Sequence, residues 1–76
     1  MQTVTTLQSH KWTKIYIKGK LHIALKTNDI VGMQSWIDGE STWCIEFYMK
    51  SDIILCEYSD QNLWSVILNE LNNLLT

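Results

Sequence analysis

Residues 52–76, DIILCEYSDQNLWSVILNELNNLLT, decide the fold. IILCEY is a short apolar run fenced by Asp52 on one side and Ser59 with Asp60 on the other, the mark of a strand. From Leu63 the spacing changes. Leu63, Trp64, Ile67, Leu68, Leu71, Leu74 and Leu75 recur at three- and four-residue steps, which predicts a helix over residues 59–75 with a broad apolar stripe. Ser59 or Asp60 can cap the free N–H groups of its first turn, and the acid also suits the positive end of the helix dipole. The opposite face holds Asn62, Ser65, Asn69, Asn72 and Asn73, with Glu70 as its only charge. In an arginine-free chain that face reads as compositional bias rather than as a partner surface.

A helix with such a stripe needs a sheet to lie on, and the upstream chain supplies strand patterns. Residues 1–10 lack periodicity and read as a loose N-terminal lead-in, with a short strand near Val4 to Leu7. From Trp12, KWTKIYI and LHIALK alternate around Lys18, Gly19 and Lys20. A three-residue loop there sets Ile17 opposite Leu21 and Ile15 opposite Ile23. Thr27, Asn28 and Asp29 mark the next turn, IVGMQSWI follows, and Asp38, Gly39, Glu40 and Ser41 mark another reversal before TWCIEFYMK. The expected architecture is α+β and a single domain over residues 1–76. An antiparallel meander of about five strands occupies residues 12–58, and the C-terminal helix packs on one of its faces.

Alternation assigns the two faces of such a sheet. If every turn keeps paired residues even in sum, odd positions from Ile15 to Leu55 make one apolar face for the helix. The even positions make the other, where Trp12, Tyr16, Trp36, Tyr48 and Tyr58 gather with Lys14 nearby. Five strands of about seven residues span about 24 by 23 Å, whereas one helix is only about 10–12 Å across. Much apolar area is left over. Self-association through the second face or an edge strand would cover it, with Trp36 and Tyr48 as anchors; a curled sheet wrapping the helix is the other solution.

Composition narrows the function. A 76-residue chain is one small domain that buries only about 60% of the surface its unfolded form exposes. No apolar run reaches the roughly 18 residues of a membrane span, and MQTVTTLQSHK has no secretory pattern, so a cytoplasmic location is expected. Five of the six lysines lie between Lys11 and Lys26, and all eight acids from Asp29 onward. Residues 1–28 therefore carry +5 and residues 29–76 carry −7, a polarity that permits head-to-tail association between copies and equally permits the two halves to neutralise one another side by side in one fold.

Chemistry-bearing constellations are scarce. Cys44 and Cys56 are expected diagonally on one face, too far apart for a disulfide, as small buried hydrophobes. His10 and His22 lack metal-ligand spacing to them, so neither metal nor cofactor is expected. Glu46 and Glu57 fall on opposite faces by parity and make no acid/base pair, and the aspartates are explained by turns. Catalysis is therefore not expected. The leading reading is a non-catalytic protein-interaction module acting as a small homo-oligomer, a class that includes inhibitors and accessory proteins of mobile elements. A second reading is a small anionic ligand such as a nucleotide held between aromatics and lysines at a subunit junction. The third, single-stranded nucleic acid stacked on the aromatic face, is weakened by the absence of arginine and the net charge of −2.

Overall fold

The computed structural model describes residues 3–39 and 41–75. Strands β1 (Val4–Gln8), β2 (Trp12–Ile17) and β3 (Lys20–Lys26) lead through a 3₁₀ turn at Thr27–Asp29 into β4 (Ile30–Asp38), β5 (Thr42–Met49) and β6 (Ile53–Tyr58), and helix α1 (Gln61–Leu75) closes the chain. The α+β class and the C-terminal helix match the sequence reading. The single five-stranded meander does not. Among the described residues, six strands form two three-stranded antiparallel sheets, an N-terminal sheet β1-β2-β3 and a C-terminal sheet β4-β5-β6.

The two differences have local causes. The short strand expected near Val4 to Leu7 is present as β1, but as a full edge strand of the sheet and not within a loose lead-in: Val4 and Thr6 stand opposite Ile17 and Ile15. A threonine in an inward position and the exposed Leu7 in an outward one blur the alternation that marks a strand. The turn at Thr27–Asp29 does not return β4 alongside β3. A network holds it instead: Thr27 donates its hydroxyl to the Ser9 carbonyl (3.1 Å) and its N–H to the Lys11 carbonyl (3.0 Å). Its oxygen must then accept from Thr13, 2.9 Å away, whose own oxygen accepts from Gln8 Nε2 at 3.4 Å. That chain of donors satisfies Thr13, which is fully buried. Past the turn, Lys50 N–H donates to the Asp29 carbonyl at 2.9 Å, tying the start of β4 to the β5–β6 loop.

Loop length sets which side chains turn inward. Lys18 and Gly19 have φ of 52° and 78°, the left-handed pair of a two-residue hairpin turn, where glycine supplies one position without strain. Ile17 thus pairs with Lys20 and Tyr16 with Leu21, and not Ile17 with Leu21 as expected. A bulge at His22 then restores the expected Ile15–Ile23 pairing. Lys50 and Ser51 make a second short loop, closed by Met49 N–H to the Asp52 carbonyl at 2.8 Å. No bulge follows, and β6 is inverted relative to the expected parity: Ile54, Cys56 and Tyr58 stand opposite Phe47, Ile45 and Trp43. Ile53, Leu55 and Glu57 face outward.

The core lies between the sheets and under the helix. Ile15 and Leu25 from the N-terminal sheet meet Ile45, Phe47 and Tyr58 from the C-terminal sheet and Ile67 and Leu71 from α1. Asp60 caps the helix, its carboxylate accepting from Asn62 N–H at 2.9 Å and from Leu63 N–H at 3.4 Å. The helix straddles both layers, packing on β1 as well as β5 and β6. Trp64 Nε1 donates to the Cys44 carbonyl (3.0 Å) and Thr6 Oγ1 to Glu70 (3.3 Å). Among the described residues, no helix is long and apolar enough to cross a membrane.

Candidate functional site

With their inner faces joined in one core, the two sheets present their outer faces on different sides of the molecule. The residues expected on a single aromatic surface are thereby divided. Trp12, Lys14 and Tyr16 alternate outward from β2, in cross-strand rows with Lys26, with Leu7 and Ala24, and with Thr5 and Leu21. Trp36 and Tyr48 stand on the outer face of the C-terminal sheet, in rows with Cys44 and Glu57 and with Gly32 and Ile53; the row between them is Gln34, Glu46 and Leu55. Tyr58 belongs to neither surface and is buried in the core.

Each outer face mixes exposed aliphatic groups with aromatics around a central charge. Leu7 and Leu21 are 56% and 55% exposed on the first, Ile53 and Leu55 59% and 49% on the second. Lys14, half-buried, sits at the middle of the first face and Glu46, half-buried, at the middle of the second. The Tyr48 hydroxyl donates to Gln34 Oε1 at 2.9 Å. Its phenol is held above the usual tyrosine range by the neighbouring Glu46 carboxylate, with burial adding to the rise. Glu46 and Glu57, expected on opposite faces, share this one because of the inverted β6 register. They are diagonal neighbours on an open sheet surface and concentrate negative charge there.

The same register separates the cysteines. Cys44 lies in the outer row with Trp36 and Glu57 and Cys56 in the inner row with Ile45, so the two free thiols occupy opposite faces of the sheet and not one face diagonally. Burial, followed by Glu57, Asp38 and Glu46, raises the Cys44 thiol. Burial raises Cys56 against a smaller opposing effect of Tyr58. Both disfavour the reactive thiolate.

Sequence reasoning missed one junction. The β3 bulge aims His22 at the end of β6, where Nε2 lies 2.7 Å from the Tyr58 hydroxyl and the rings are tilted at 5.5 Å. Burial pushes the Tyr58 phenol far up, with Cys56 adding to it, and lowers the His22 pKa below 6.5. A lowered histidine binds fewer protons folded than unfolded. Its stabilising share is whole above pH 6.5 and is lost as the pH falls toward the folded value. The thermal midpoint should therefore fall on acidification below neutrality, and His22→Gln should flatten that fall. Identical pH profiles for the two proteins would show the imidazole to be as well solvated in the fold as in the open chain.

Two adjoining clefts flank Trp12. One of about 270 Å³ is lined by Lys11, Trp12, Lys26, Asn28 and Asp29. The other, about 230 Å³, shares Trp12, Lys26 and Asp29 and runs past Met49, Asp52 and Ile54. The network around Thr27 builds this corner by fixing the Lys11 carbonyl. Comparison with known proteins found no matching family model, no matching curated protein and no matching solved structure.

Proposed function

We propose that this protein is a non-catalytic interaction module that acts as a small homo-oligomer. The observation that carries the reading is the pair of outer sheet faces, each setting half-exposed leucine or isoleucine beside tryptophan and tyrosine. Scattered exposed aliphatic groups are ordinary, but clusters rimmed by polar groups mark association surfaces. Trp36 and Tyr48 are the anchors on the C-terminal sheet, large rings that gain most when water is excluded from both sides. Light scattering at tens of micromolar should give a mass above that of one chain, and joint Trp36→Ser and Tyr48→Ser replacement should lower it with the far-ultraviolet spectrum unchanged. A monomeric wild type at that concentration overturns the reading.

The Trp12 corner favours a second reading. Lys11 and Lys26 beside an indole in a cleft of about 270 Å³ suit a compact anion with an aromatic ring, such as a nucleotide. Absorbance near 260 nm in the purified protein supports it. Binding of single-stranded nucleic acid draws less support, because the aromatic groups are divided between two faces and the core and make no continuous stacking track.

A further inference from the structure

The two outer faces are built to the same plan with opposite charge. On the N-terminal sheet Lys14 is central, Lys26 lies in the neighbouring row, and Trp12, Tyr16, Leu7 and Leu21 surround them. On the C-terminal sheet Glu46 is central, Glu57 lies in the neighbouring row, and Trp36, Tyr48, Ile53 and Leu55 surround them. Among the described residues neither Lys14 nor Glu46 takes part in an ion pair. Stacked sheets pack about 10 Å apart, so the central charges of two stacked faces meet.

We infer that the outer face of the N-terminal sheet docks on the outer face of the C-terminal sheet of a second copy, with Lys14 against Glu46 and the aromatic and aliphatic groups closing around them. This rests on the self-association proposed above and specifies its geometry. Stacking either face on its own kind about a two-fold axis sets lysine against lysine or glutamate against glutamate, and such like-charge contacts are strongly disfavoured once water leaves. The mixed contact removes that conflict. It is also heterologous: a pair leaves one face of each kind free, one on each copy, and assembly continues into a ring or an open filament. The separation of the lysines in residues 11–26 from the acids after residue 28 thus becomes two surfaces that recognise one another. The Trp12 corner, which shares Lys26 with the first face, falls at the edge of this junction.

Charge reversal tests the arrangement. Lys14→Glu and Glu46→Lys should each weaken association by at least about tenfold. An equimolar mixture should assemble again, because each variant's altered face then meets its opposite charge on the other. Wild-type mass should rise with concentration past two chains and fall with added salt. Zero-length cross-linking of wild type made from mixed isotopic copies should join Lys14 of one copy to Glu46 of another, a result independent of how well either variant folds. A monomeric wild type would remove self-association altogether. An oligomeric wild type whose links join other residues, or folded variants that still assemble separately, would leave self-association standing and overturn this geometry.

Discussion

A chain ended at Ser59, lacking helix α1, is expected to be unfolded. The helix brings Ile67 and Leu71, both fully buried, against inner residues of both sheets, and burying such a side chain is worth about 1.5–3 kcal/mol. Its length matters as much as its stripe. Trp64 ties the first turn to β5, and Glu70 reaches Thr6 of β1, so the helix links two sheets that share no strand-to-strand ladder. Without it, Ile15, Ile45 and Phe47 lose their cover in a domain whose total stability is roughly 0.05–0.15 kcal/mol per residue. Far-ultraviolet circular dichroism and amide shift dispersion would read the result. A truncated chain with dispersed amide shifts and a cooperative melt would show that the sheets hold each other without the helix.

The same helix was the most legible element of the sequence, for a physical reason. A period near 3.6 sustained over residues 63–75 leaves one solution, and Asp60 supplies a cap that can be read directly. The strands were legible as segments, yet their inward and outward sides hung on loop length, where one residue inverts a strand. Lys50 and Ser51 turn the chain in two residues, no bulge compensates, and Ile54, Cys56 and Tyr58 face the core in place of Ile53 and Leu55. Around Lys18 and Gly19 the same shortening is undone by the bulge at His22. Nothing in the composition of either loop separates those outcomes. The candidate site inherits this dependence. Trp36 and Tyr48 share a face as expected, whereas Tyr58 is lost to the core and Leu55 and Glu57 are gained. The division into two sheets was the least visible feature, since the Thr27 turn is fixed by Ser9, Lys11 and Thr13, none of them its neighbour in sequence.

Replacing Phe47 by alanine should be the most damaging single substitution, costing about 3–5 kcal/mol. The ring is 1% exposed at the centre of β5, in a cross-strand row with Met33 and Ile54, and joins the cluster that both sheets and the helix share. No neighbour can close over the void without moving a strand. Trp64 is the instructive comparison: a larger side chain that is only half-buried and whose indole N–H is bonded to the Cys44 carbonyl at 3.0 Å. Trp64→Ala should therefore cost less than Phe47→Ala although it deletes more atoms. Trp64→Phe should isolate the hydrogen bond, worth about 0.5–1.5 kcal/mol. Urea titrations at one low protein concentration keep self-association from adding to the apparent stability. If Phe47→Ala unfolds at the wild-type midpoint, or Trp64→Ala proves the more costly, the ring that organises the core is not the one on β5 and the inward side of that strand must be reassigned.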